Sequence, residues 1–159
     1  MRLHAKKAAE LLLRQAWPSR SFPVDTYRIA TSLGIDVVEL DLPEGVSGAL
    51  IKEVGKDPVI MLHSKDSRNR KRFSCAHELG HYIDRQDKDA DCYEYVDLRN
   101  AEAALWTDPE EIFANQFAAN LLMPEEEVRR LGREGMPYFI MALRFGVSDD
   151  AILHLRERF

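Results

Sequence analysis

Arg72-Phe73-Ser74-Cys75-Ala76-His77-Glu78-Leu79-Gly80-His81 is the stretch on which the fold turns. Its last five residues read His-Glu-x-x-His. On an α-helix, residues four apart share a face, so both imidazoles can reach one metal ion. Glu78 lies beside that face and can hold water without being a ligand. Imidazole nitrogens suit zinc, and two histidines leave room for a third protein ligand and an open position. Composition alone gives such a match in roughly one chain of this length in 200. The stripe Phe73, Ala76, Gly80 and Ile83 is apolar or small, which argues against two histidines on a merely solvated face. A glycine inside a helix costs ~1 kcal/mol relative to alanine, and a second backbone passing close by would explain it. The helix is predicted over about Ser67 to Asp84.

The third ligand must come from elsewhere, and Glu111 is the best candidate, 111 − 81 = 30 residues after the second histidine. It opens a helix predicted from about Pro109 to Met123. Glu111, Asn115, Ala118 and Leu122 share one face of that helix. Ala114, Ala118 and Ala119 would let it come close to Gly80. Asn115 could orient His77 or His81 through a hydrogen bond. A competing role for Glu111 is capping, because Asp108 reads as an N-cap and Pro109 as the first helical residue. Glu110, Glu102 and Asp84 are the alternative third ligands.

Upstream, His4 to Ala16 reads as a helix with Ala8, Leu11, Leu12 and Ala16 inward. A short helix opens at Pro23-Val24-Asp25, buries Ile29, Ala30 and Leu33, and stops at Gly34. Asp36 to Leu40 is a β-branched strand. Ala49 to Val54 and Pro58 to His63 form a hairpin around Gly55-Lys56-Asp57. A three-stranded sheet followed by helices gives an α+β class. The hairpin could offer an edge strand to an extended peptide. Beyond the second long helix come two or three short ones, with Glu125–Arg129 and Glu126–Arg130 at solvated i,i+4 spacing.

Two stretches carry a family resemblance. Arg72 to His81 resembles the signature of the ImmA/IrrE metallopeptidases (DUF955). So does Glu111-Ile112-Phe113-Ala114-Asn115-Gln116-Phe117-Ala118-Ala119-Asn120-Leu121-Leu122-Met123-Pro124. Phe145-Gly146-Val147-Ser148 is a weaker echo, and the resemblance covers roughly residues 25 to 159. Cys75 departs from it, standing where an aliphatic residue is expected; two positions before His77, it should point away from the metal and act as a buried small hydrophobe. The resemblance implies a gluzincin-like zinc endopeptidase with a zincin-like core. His77, His81 and Glu111 would be ligands, and Glu78 the general base. It also implies limited cuts in an XRE-type helix-turn-helix repressor or antitoxin, in phage, stress-response or toxin–antitoxin circuits. Many relatives carry an XRE domain of their own. Residues 1–159 are expected to form one domain without one, so the repressor would be a separate protein. Manganese or iron would fit the same ligands. The alternative is a non-catalytic zinc-stabilised module that binds a DNA-binding regulator; it would have no need of Glu78. Tyr93, Tyr95 and His63 are candidates to stabilise an oxyanion.

Charge and composition narrow the partners. With 22 basic and 27 acidic residues the formal charge is -5, which argues against direct nucleic-acid binding. No apolar run is long enough for a membrane span, no secretory signal is visible, and two cysteines outside any CxxC pair suit a cytoplasmic protein. Lys65, Arg68, Arg70, Lys71 and Arg72 cluster where the active helix begins and oppose its dipole; they are read as a solvated basic face or a dock for an acidic partner. The acidic connector Arg85 to Asp108 is long enough for a lid, with Tyr93, Tyr95 and Val96 to touch substrate. Asp87-Lys88-Asp89-Ala90-Asp91 lacks the glycine of a calcium loop. Ala142 to Arg156 has helix-turn-helix spacing, but Asp149 and Asp150 suit core packing better than DNA reading.

Overall fold

A computed structural model describes residues 2–86, 88, 91–98 and 107–156. Among these residues it holds seven helices and one four-stranded sheet, an α+β architecture. The helices are α1 (Arg2–Ala16), α2 (Thr26–Ser32), α3 (Arg68–Gln86), α4 (Pro109–Leu122), α5 (Glu125–Arg133), α6 (Tyr138–Phe145) and α7 (Asp149–Arg156). The strands are β1 (Asp36–Leu40), β2 (Val46–Lys52), β3 (Val59–His63) and β4 (Tyr93–Leu98), in the order β1-β3-β2-β4.

β1 runs parallel to β3, while β2 is antiparallel to both β3 and β4. Two expectations fail here. The sheet has four strands, not three, because part of the connector after α3 extends and pairs with β2. The β2–β3 hairpin is interior, so it offers no free edge; among the described residues the edges are β1 and β4.

The helices cover the sheet from the side of Leu50, Ile60 and Leu62, all fully buried. There α3 packs on β2, β3 and β4, and α2 packs beside it on β1. Behind α3 lie α4 and then α1. The inward face of α1 is Ala5, Ala9 and Leu12; Leu11, expected inside, is 55% exposed. α2 is capped by Asp25, which accepts from the Arg28 amide, and it ends at Gly34 with φ +75. Of the surface pairs expected on α5, Glu125–Arg129 forms at 2.9 Å. Arg130 instead binds Glu127 and Glu134.

Four of the five residues of the basic cluster, all but the exposed Arg68, are tied to acceptors within the chain. Lys65 pairs with Asp41, Lys71 with Glu39, and Arg70 with Asp97. Arg72 donates to the Gly146 carbonyl at 2.7 Å. Gly146 is the left-handed cap of α6, and a side chain there would strike the Arg72 guanidinium and Pro23. Arg70, Lys71 and Arg72 thus fasten the start of α3 to three other segments, at Asp97, Glu39 and Gly146. The α6–α7 pair packs inward through Phe145, Val147, Ile152 and Leu155. No helix among the described residues is long and apolar enough to cross a membrane.

Candidate metal centre

The middle of α3 is buried on all sides, from Ser74 through His81. Gly80 is what permits this. A Cβ on Gly80 would lie 2.8 Å from the Ala114 Cα and 3.1 Å from its carbonyl oxygen. The two helix backbones therefore cross in contact, as the glycine and the small residues opposite it imply. This crossing brings the first turn of α4 level with His77 and His81.

His77 Nε2 and His81 Nε2 lie 3.1 Å apart. The Glu111 carboxylate faces both, with Oε2 3.2 Å from His77 Nε2 and Oε1 3.2 Å from His81 Nε2. Such spacings are close to the edge of a tetrahedron with metal–ligand bonds of ~2.0–2.1 Å, an edge of about 3.3 Å. One donor atom from each of the three residues lies within 4.8 Å of the others, so the group could hold a metal ion. Two nitrogens and a carboxylate oxygen suit zinc. The donor set therefore fits the metal that the motif implies.

The helix start is the one that made capping a competing role for Glu111, but the Glu111 carboxylate is turned to the imidazoles. Asp108 is the N-cap and accepts from the Glu110 amide at 2.9 Å, with Pro109 following. Asn115 Oδ1 lies 3.2 Å from His77 Nδ1 and accepts its proton, which leaves Nε2 as the free donor atom. The Asn115 amide is held in turn by the Glu111 carbonyl at 3.0 Å. The alternative ligands are engaged elsewhere: Glu110 binds Arg85, Lys88 and Tyr95, and Asp84 binds Lys88. Glu102 lies outside the described residues.

Glu78 is 0% exposed, and neither carboxylate oxygen has a hydrogen-bond partner among the described residues. It faces Gly48 of β2, where a Cβ would stand 3.5 Å from Oε1. Burial pushes its carboxyl up to about 8, with the nearby Asp97 and Glu111 adding to the rise. Burial also opposes charge on Glu111, but the two imidazoles outweigh it and hold that carboxyl well below the usual range. On His77 burial lowers the pKa, yet the carboxylates of Glu111, Glu78 and Asp97 leave it raised. His81 ends lowered, by burial and by His77 beside it. Cys75 is fully buried with its thiol pushed up to about 12, an inert packing group as expected.

Of the three oxyanion candidates, Tyr95 is the one in contact. Its ring stacks on His81 with 4.0 Å between centroids and 10° between planes. Its hydroxyl is committed, donating to Glu110 at 2.7 Å and accepting from Arg85. Tyr93 stands behind it, 6.1 Å from ring to ring. His63 follows the core residue Leu62 on β3, so it projects from the opposite face of the sheet. Sequence reasoning missed Gly48; its one signal was a glycine within a strand-like run.

No curated protein matches the chain. The fold is similar to that of a Mycobacterium tuberculosis transcriptional regulator, with a TM-score of 0.58 at 18% identity. That match covers 93% of this chain and 46% of the other, so the chain spans about half the length of the solved structure. The model of the IrrE N-terminal-like domain, Peptidase_M78, matches residues 30–155, and with the paired imidazoles and the facing carboxylate in view, the chain belongs to that metallopeptidase family.

Proposed function

We propose that residues 1–159 act as a single zincin-like domain and a zinc-dependent endopeptidase. In this reading His77, His81 and Glu111 hold the metal and Glu78 is the general base. The observation that carries the proposal is the convergence of two imidazoles and a carboxylate beside a buried carboxylate that has no partner of its own. An unpaired buried acid is costly to a fold, and a site that uses it explains why it is there. Bound by these residues, zinc supplies Lewis acidity that polarises the scissile carbonyl and acidifies water. Glu78 takes the proton from the attacking water and returns it to the leaving amine. Asn115 fixes the His77 tautomer, and the Tyr95 ring fixes the plane of His81. Manganese or iron suits the same donors.

The proposed substrate is a separate regulatory protein of the cytoplasm, an XRE-type repressor or antitoxin, cut at one or a few exposed positions. The family resemblance supports this, and the likeness to a transcriptional regulator is compatible with it. One observation favours a second reading, a zinc-stabilised binding module without activity: Glu78 and both imidazoles are closed off from solvent. The two readings separate in one experiment. Zinc-loaded protein is incubated with the repressor encoded beside its gene, and in parallel with casein. Discrete repressor fragments, absent with Glu78→Gln, are expected. Digestion of casein with the repressor intact would remove the regulator as target and keep the peptidase. Repressor binding without cleavage would favour the module.

A further inference from the structure

The closure of the site has an identifiable cause. Glu78 is 0% exposed, His81 1% and His77 2%. β2 passes over Glu78 at Gly48. One edge of β2 is taken by β3, and β4 occupies the other, antiparallel, from Val46↔Leu98 to Lys52↔Tyr93. Alternation along β4 turns Tyr95 and Asp97 toward α3. The Tyr95 ring lies flat on His81. Asp97 accepts from Ser74 and Arg70, each at 3.4 Å. A peptide presented to this site has to be extended and has to cross above the same imidazoles. The edge of β2 is the place where main-chain pairing would hold it. β4 already lies there.

What retains β4 is weaker than what retains α3. Its side-chain ties are the Tyr95–Glu110–Arg85 cluster, the bonds from Arg70 and Ser74 to Asp97, and the Tyr95 stack on His81. The side chains of Arg70 and Glu110 are 39% and 30% exposed, and Val96 on the outer face is 44% exposed. Partly solvated ion pairs contribute little each. As an edge strand, β4 has a ladder on one side only.

We infer that β4 is an internal competitor for the substrate's place, and that an extended segment of the protein substrate must displace it from β2 before cleavage. The inference rests on the peptidase reading for its activity and adds the regulation of that site. Two full-length variants bracket it. Ala49 and Val96 face each other directly across β2 and β4, at a spacing that suits a disulfide. Ala49→Cys with Val96→Cys, in a Cys92→Ser background, therefore locks β4 when oxidised. Val96→Pro with Asp97→Pro releases it while keeping the Tyr95 ring, because these consecutive residues pair with Ala49 and Gly48, their amides alternate in direction, and one of the two must leave the ladder.

Two readouts are taken on each protein. The first is carbethoxylation of His77 and His81 after chelator treatment, relative to the exposed His154, mapped by peptide mass. The second is cleavage of the repressor by the zinc-loaded protein. Modification of both histidines should be slow in wild type, slower in the lock, and faster in the proline variant by ~10-fold or more, the factor set by how rarely the closed site opens. Cleavage should vanish in the oxidised lock, return on reduction, and rise in the proline variant. Equal histidine modification in all three would overturn the inference, as would undiminished cleavage by the oxidised lock. Exposed histidines in the proline variant with no cleavage by any protein would uphold the strand's role and sink the peptidase reading.

Discussion

In its first turns, from Arg68 to Phe73, α3 is held by cations that reach other segments: Lys71 to Glu39, Arg70 to Asp97, Arg72 to the Gly146 carbonyl. From Ser74 to His81 the same helix is wholly buried, and its fixing contact is backbone against backbone at Gly80 and Ala114. The first region tolerates water and the second excludes it. In the second, burial disfavours the charged form of the partnerless Glu78 and raises its pKa, and there it carries the proposed chemistry. The polar ties set where α3 starts; the close crossing sets the distance between Glu111 and the imidazoles.

The largest effect that would break this contrast is on Glu78. Glu78→Gln should lower cleavage by ~10²–10⁴-fold, the usual scale for a general acid–base. The same change should stabilise the metal-free protein by about 1 kcal/mol or more, because a neutral amide is cheaper to bury than an unpartnered acid. Kinetics and chemical denaturation of one variant thus give opposite signs. A loss of stability would show that Glu78 has a structural partner after all.

Gly80→Ala comes next. Alanine gains ~1 kcal/mol in helix propensity, but its methyl meets backbone that cannot swing aside, an overpacking cost of up to ~3 kcal/mol. A net destabilisation of about 2 kcal/mol is expected, with weakened metal binding as α4 is pushed from α3. Ala114→Gly should not rescue it, since the nearest clash is with the Cα. Urea titration and metal competition together check this; a stabilised variant would mean the helices do not cross this closely.

The smallest effect belongs to the polar region. Glu39 accepts from Lys71 at 2.7 Å and from the Tyr27 hydroxyl at 2.8 Å. These bonds favour its charged form and lower its pKa. The stabilisation they give is therefore present at neutral pH and lost as pH falls through the folded-state pKa. Glu39→Gln should cost less than ~1 kcal/mol at pH 7, as solvated pairs do. The difference from wild type should close toward acid pH, and denaturation curves at several pH values would show it. A cost that persists in acid would mean the tie is not ionic.

Much of the buried region was legible in the sequence because its information is local. His77 and His81 share a helix face by spacing alone, and Gly80 announces a close neighbour. Glu111 was found through its position on α4, although only the structure shows its carboxylate turned to the imidazoles. β4 was not legible. Tyr93-Glu94-Tyr95-Val96-Asp97-Leu98 sits in an acidic connector, and its partner β2 lies some forty residues earlier, so no local pattern specifies the pairing. The basic cluster hid for the same reason: its acceptors Glu39, Asp97 and Gly146 are scattered along the chain. On α1, the adjacent runs Ala8-Ala9 and Leu11-Leu12-Leu13 left the inward face ambiguous by a single residue.

The central claim is that His77, His81 and Glu111 share one metal ion while Glu78 stands outside its ligand set. Zinc content per chain, measured by elemental analysis on wild type, Glu78→Gln and Glu111→Ala prepared side by side, tests it most directly. The account predicts one zinc per chain in wild type and in Glu78→Gln, and a clear loss in Glu111→Ala. Full zinc in Glu111→Ala, or its loss from Glu78→Gln, would contradict the assignment.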